Sequence, residues 1–300
     1  MYMKKVLFLS SDKPQNLVKA VEFADKMKQL LGGDFQIENA QIRDLIFDIN
    51  GYETKIYHPD KGFDIKDFDL VVFRHVGKNV IEARAAAVYL EKYDVKFTDS
   101  YISSLMLDNK IDSSMLHWAD GLPVPRTLYG NPEKLAGYLP MLGGKAIFKD
   151  IEGNKGKHNY LVSSEVEIRR ISAENPEVKF LLQQFIPNDR DYRILVFNFK
   201  PVLIIERISG GKTHLNNTSA GGTWRLVDVE SFDQKVLDIA AQASRIEKLE
   251  VSGADIVIDK NTQKPYILEI NRAPQILSAP PEDEKAKEYA AMIRELVKAE

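Results

Sequence analysis

Residues 251–271 read VSGADIVIDKNTQKPYILEIN, two apolar runs around a turn-rich centre, DKNTQKP. Strand-forming residues broken by Asp, Asn and Pro predict an antiparallel hairpin. With Thr262 at the centre of the turn, Asp255 falls directly across from Glu269, and Asn271 lies two residues further along the same face. Two carboxylates facing each other in one ladder repel unless a positive group sits between them. Ile256, Val257, Ile258, Ile267, Leu268 and Ile270 make both faces largely apolar, where an unpaired carboxylate is costly. Oxygen donors with no His or Cys suit Mg²⁺, which keeps waters and binds substrate phosphates, so the implied partner is a nucleotide. The strand then stops at Arg272, Ala273 and Pro274, where Arg272 either touches a substrate or caps the strand.

Upstream, residues 191–208 (DYRILVFNFKPVLIIERI) predict a second hairpin, folding back at Asn198 to Pro201. Strand alternation puts Asp191 and Arg193 on one face, and the fold-back is expected to bring Glu206 and Arg207 close to them. An arginine beside a polyphosphate stabilises the charge that develops on a transferred phosphoryl group. A cross-strand Arg–Glu ion pair is the plainer alternative. Helix spacing fills residues 232–249, and an amphipathic helix is expected from residue 282 onward.

Residues 144–162 (GKAIFKDIEGNKGKHNYLV) read as strand, glycine-containing loop and strand. Lys149 ends the first strand, and the amides around Gly153 and Gly156 suit phosphate oxygens, although GxxxxGK[ST] is absent and a plain surface turn needs no function. A helical segment and the strand KFLLQQFI follow, then a hinge at IPNDRD. Residues 100–125 are expected to be helical until Gly121 and the prolines of LPVP end the helix. The first third alternates strand and helix patterns, the signature of a small parallel α/β domain. Without GxGxxG after the first strand, dinucleotide binding is not indicated. Ser10, Arg74 and His75 are either ligand contacts at strand ends or ordinary strand-end residues.

The fold class expected is therefore an N-terminal α/β domain over residues 1–99, with a small parallel sheet. Two α+β lobes with antiparallel sheets follow, over residues 100–186 and 187–300. Bulk properties agree: 300 residues with 44% hydrophobic content hold more than one lobe. A net charge of −3 argues against a nucleic-acid or anionic-membrane binder. Zero cysteines and five scattered histidines leave no zinc-type spacing. No apolar run approaches a membrane span and the N-terminus lacks a signal-peptide core, so a cytoplasmic location is expected.

In this order the elements resemble the ATP-grasp superfamily, most closely the RimK-like carboxylate-amine ligases, from about Asp108 to Pro274. The resemblance implies ATP and Mg²⁺ (or Mn²⁺) as cofactors. Lys110 in LDNK resembles the lysine that opens the ATP-binding unit, and LPVPRT is similar to the stretch that follows it. Lys149 matches the phosphate-binding lysine, and the loop with Gly153 and Gly156 resembles the glycine-rich loop over the phosphates, though it lacks a further glycine around His158. Gln184, Phe185 and Ile186 stand at the adenine contacts, with Gln184 where many members carry Glu; an amide carbonyl still accepts from the adenine amino group. Asp191 resembles the acidic residue near the ribose. Asn217, ahead of Gly221 and Gly222, resembles the family's asparagine, and Asp255, Glu269 and Asn271 fall on its metal ligands. Arg207 matches the arginine facing the transferred phosphate, and Arg193 joins it as a catalytic candidate.

The implied activity is an ATP-dependent ligase that forms an amide bond through an acyl phosphate, releasing ADP and phosphate. Its partners are a carboxylate substrate and an amine acceptor, which is an amino acid, peptide or protein tail. The acceptor pocket is expected between the N-terminal domain and the C-terminal lobe, near Arg74, His75, Asn79 and residues 209–217. A phosphotransferase acting on a hydroxyl, or a non-catalytic ATP-binding module, are the alternatives. A homo-oligomer is compatible with the sequence.

Overall fold

The computed structural model describes residues 3–11, 14–49, 54–104, 109–153, 157–208, 223–277 and 280–298. The first unit contains β1 (Lys4–Ser10), α1 (Pro14–Leu31), β2 (Phe35–Gln41), β3 (Ile46–Asp48), β4 (Lys55–His58) and β5 (Phe63–Asp64). It closes with β6 (Leu70–Arg74), α2 (Val80–Lys92) and β7 (Lys96–Phe97). β2-β1-β6-β7 form a parallel sheet, as the alternating pattern predicts. Ser10 stands opposite Gln41 and Arg74, at the carboxyl ends where the strand order reverses, the usual place for a ligand crevice in such sheets. A separate antiparallel sheet, β3-β4-β5, fills the interval between β2 and β6; strands of two to four residues carry too little periodicity to be seen in the sequence.

α3 (Lys110–Ala119) follows, shorter than the sequence suggests. Its start is set by Asn109, whose side chain accepts from the amides of Ile111 and Asp112, so Lys110 occupies the first helical position. The central lobe comprises β8 (Thr127–Tyr129), α4 (Pro132–Ala136), β9 (Ala146–Asp150), β10 (Asn159–Val162), α5 (Glu165–Glu174) and β11 (Phe180–Gln184). Its antiparallel sheet, ordered β10-β9-β11-β8, packs Phe148 and Phe180 as stacked rings 4.4 Å apart at their centroids.

The last lobe is built from β12 (Arg190–Phe197), β13 (Lys200–Ile208), β14 (Thr223–Val227), α6 (Gln234–Ile246), β15 (Val251–Ile258), β16 (Pro265–Asn271) and α7 (Glu282–Lys298). The strands make one antiparallel sheet, β14-β13-β12-β15-β16. Ile194, Ile204, Ala254 and Ile256 face α6, whose Ala240 and Ala243 allow close approach. On the other face, Leu195, Phe197, Leu203 and Ile205 join a core containing Phe8, Phe23 and Met27 of the first unit. Tyr289 of α7 is the wedge between the two, with edge-on ring contacts to Phe23 at 5.2 Å and Phe197 at 5.4 Å. Part of this sheet face is thus spent on packing, and the rest carries polar side chains: Asp191, Arg193, Arg207, Asp255 and Glu269.

Candidate active site

The 251–271 hairpin pairs Asp255 with Glu269 and Gly253 with Asn271. A bulge produces that register: past Asp255 the pairing slips, so that Ile256 faces Ile267 and Leu268 is the extra residue. A straight ladder from the turn, where Ile258 pairs with Pro265, would have put Leu268 opposite Asp255 instead.

β12 brings Arg193 opposite Asp255, and β13 brings Arg207 opposite Asp191, so all of these share one face. Arg193 grips Asp255 with both prongs, Nε to Oδ1 at 2.8 Å and Nη2 to Oδ2 at 2.7 Å. Arg207 bridges two acids, Nε to Asp191 Oδ1 at 2.6 Å and Nη2 to Asp255 Oδ1 at 3.2 Å. Burial alone would raise the Asp255 carboxyl, but Arg193 and Arg207 outweigh it and hold it at about 2. Asp191 goes the other way: it is buried and beside Asp255, and Arg207, divided between two carboxylates, cannot compensate both.

Asp191, which the resemblance sets near the ribose, is a buried partner of Arg207. Glu206 also departs from expectation. It lies opposite Tyr192 and, by strand alternation, points to the other face, where Arg190 at 3.0 Å and Arg225 hold it.

Lys149 is buried on β9 of the central lobe. Burial pushes its ammonium down to about 8; Glu269 pulls the value up, Lys110 down, and Asp255 up again, which places all three within electrostatic reach. Lys110 donates from Nζ to the Gly153 carbonyl at 2.6 Å, tying the start of α3 to the glycine loop. A Cβ on Gly153 would stand 2.9 Å from both Asp150 Cβ and the Lys157 carbonyl oxygen. Gly153→Ala is accordingly expected to displace this loop and weaken nucleotide binding about tenfold, measured by fluorescence titration.

At the end of β11, the Gln184 backbone N–H donates to Arg126 O at 2.8 Å, and the Lys145 ammonium lies 4.8 Å from the Phe185 ring centroid. Ile186 is buried, and its carbonyl accepts from Asn188 Nδ2 at 2.7 Å. Gly156, Asn217, Gly221, Gly222 and residues 209–217 lie outside the described residues. Lys285 escaped the sequence reading. It is buried at the start of α7, donates to Gln275 O at 2.8 Å, and burial pushes it to about 8, with Glu282 opposing and neighbouring Arg193 adding to the fall. Its spacing of four from the buried Tyr289 was the available signal.

Among the described residues no group of three or more His, Cys, Asp or Glu converges, so a metal at Asp255, Glu269 and Asn271 would rest on two carboxylates and an amide. The donor set fits Mg²⁺. Asn271 donates from Nδ2 to Gly253 O at 3.3 Å and lies 3.4 Å from Glu269 Oε1, which leaves its own Oδ1 as a ligand oxygen. No helix among the described residues is long and apolar enough to cross a membrane.

The model of the RimK-like ATP-grasp domain matches residues 107–292. The probable alpha-L-glutamate ligase of Sodalis glossinidius (strain morsitans) is 27% identical over 172 residues, covering 55% of this chain and 56% of that protein. The chain spans about half the length of the curated relatives it matches. Among solved structures, the ATP-grasp ligase PsnB with minimal precursor, Mg and ADP has a TM-score of 0.72 at 14% identity, over 98% of this chain and 97% of that one. The D-alanine–D-alanine ligase of Bacillus anthracis with ATP has a TM-score of 0.67 at 16% identity, over 98% of this chain and 97% of that one. These two likenesses are of fold. With more than half of its residues inside the one family match, the chain belongs to the RimK-like ATP-grasp family.

Proposed function

We propose that this chain is an ATP-dependent carboxylate-amine ligase. The observation that carries the reading is the polar part of one sheet face, where Arg207, Asp191, Arg193, Asp255 and Glu269 form a cross-strand row whose Asp255 and Glu269 lie within electrostatic reach of Lys149. Lys149, Lys110 and the Gly153 loop bind the phosphates, and the end of β11 holds the adenine. Asp255, Glu269 and Asn271 would hold Mg²⁺, which supplies charge neutralisation on the polyphosphate.

In the first step a substrate carboxylate oxygen attacks the γ-phosphorus; the new O–P bond forms as the bond to the β-phosphate oxygen breaks, and ADP leaves. Arg207 stabilises the charge on the transferred group, and Asp191 fixes its guanidinium. In the second step an amine nitrogen attacks the acyl carbon, loses a proton and expels phosphate. The relative named probable alpha-L-glutamate ligase, and the fold neighbour PsnB in its complex with precursor peptide PsnA2 and AMPPNP, support an amino acid or peptide as substrate. Substrate entry falls between the first unit and the last lobe. There Arg74 stacks on Phe23 and Tyr289, at 5.0 and 5.4 Å, and Asn79 keeps a buried Oδ1 without a hydrogen-bond partner. The Mg-ADP complex of the fold neighbour PsnB agrees with the proposed cofactors.

Incubation with Mg-ATP and mixtures of amino acids and short peptides, read by mass spectrometry, is expected to give ADP, phosphate and a condensed amide. A stable phosphorylated product without an amide would shift the reading to phosphotransfer, and no turnover with any acceptor would reduce it to nucleotide binding.

Lys149 adds a pH prediction. In the free protein its charge is present below about 8 and lost above, whereas its ordinary value is 10.5. Phosphate binding restores the charge, so nucleotide affinity falls as pH rises through 8, and calorimetry near pH 9 detects uptake of about one proton per nucleotide. Lys149→Met removes the uptake. The sign for folding is opposite: between about 8 and 10.5 the unfolded chain binds more protons, so stability rises with pH across that window.

A further inference from the structure

Beyond Asn271 the chain turns inward. The Arg272 guanidinium lies 4.7 Å from the Tyr101 ring centroid, and its Nη2 is 3.3 Å from Glu247 Oε2. Glu247 closes the C-terminal end of α6 and is 1% exposed, so its charge has almost no help from water. Ser113 Oγ donates to its Oε1, and His117 Nε2 stands 3.1 Å from the same oxygen. Ser113 and His117 are one turn apart on α3, the helix whose first residue is Lys110. One carboxylate thus grips the helix that carries the phosphate lysine and the strand end that carries Glu269 and Asn271. At its other end α3 is anchored again, through the Lys110 amide on Ile151 O at 3.0 Å and its ammonium on Gly153 O.

Stability alone does not call for this arrangement, because well-packed apolar residues replace a buried ion pair at little or no cost. Apolar contacts, however, tolerate sliding, whereas a carboxylate engaged from several directions fixes angle and distance. We infer that the Glu247–Arg272 pair is a positioning device, setting the separation between Lys110 and the Glu269–Asn271 pair so that one nucleotide meets both. What is positioned rests on the proposed function.

The test is titration of the full chain with Mg-ADP, and with Mg²⁺ at fixed ATP, beside thermal unfolding. Glu247→Gln keeps shape and an acceptor oxygen but removes the charge; it is expected to weaken Mg-ADP binding and raise KM for Mg-ATP by about 10–100-fold, with a smaller change in kcat. Arg272→Lys, which keeps the charge, recovers most of the affinity, while Arg272→Met does not. If Glu247→Gln does not fold, Ser113→Ala, which removes a single donor, shows a smaller shift in the same direction. Unchanged Mg-ADP affinity in folded variants, with only a lower Tm, would make the pair purely structural and overturn the inference. Absence of saturable Mg-ADP binding in the wild-type chain would instead overturn the proposed function on which it rests.

Discussion

Glu269→Gln is expected to lower kcat/KM for ATP turnover by about 10²–10³-fold while leaving the fold in place. Glu269 is half-buried at the end of the cross-strand row, opposite an Asp255 that already pairs with two guanidiniums. Of the two carboxylates it is the one whose charge is less neutralised by the protein itself, which suits it to a cation. Its contact with Asn271 Nδ2, at 3.4 Å, is weak, so the amide replacement changes folding stability by only about 0.5 kcal/mol. The Mg²⁺ concentration for half-maximal rate rises in the same variant. Turnover at the wild-type rate with unaltered Mg²⁺ dependence would remove Glu269 from the site.

Arg207→Met attacks the other end of the row and is expected to damage both chemistry and folding. The side chain is buried and bridges Asp191 and Asp255; removing it leaves a carboxylate without a counter-charge, at a cost of about 3–5 kcal/mol. The loss has a pH signature. Carboxyls whose folded pKa is raised stabilise the native state only where they are protonated, so the variant's deficit grows as pH rises from acid to neutral and shrinks on acidification. Turnover falls by about 10²–10³-fold through loss of charge stabilisation. The double variant Arg207→Met/Asp191→Asn separates the two effects: urea unfolding recovers much of the stability, and activity stays lost. Recovery of both would mean that Arg207 serves only the fold.

The pairing of Asp255 with Glu269 was legible because a hairpin is a local object, and a turn placed at Thr262 carries the register to both strands. That placement absorbed, without revealing, the bulge at Leu268. The neighbours of Asp255 were not legible in the same way. Arg193 reaches it only because β15 inserts next to β12, a long-range choice of sheet order that hairpin reasoning within 191–208 cannot supply. Glu206 was misplaced for a simpler reason: neighbours along a strand point to opposite faces, so Glu206 and Arg207 cannot both meet Asp191. The start of α3 at Lys110 depends on a side-chain cap by Asn109, which apolar periodicity does not register. Likewise, α7 read as an amphipathic helix, but its apolar stripe did not say that it would join the first unit to the last lobe.

The central claim is that this face activates a carboxylate by phosphorylation. A substrate labelled with ¹⁸O in its carboxylate, incubated with Mg-ATP, the protein and an amine, tests it most directly. Transfer of one labelled oxygen into the released phosphate, with ADP and amide formed in equal amounts, is the predicted result. Amide formation with unlabelled phosphate, or with AMP and pyrophosphate in place of ADP, would contradict it.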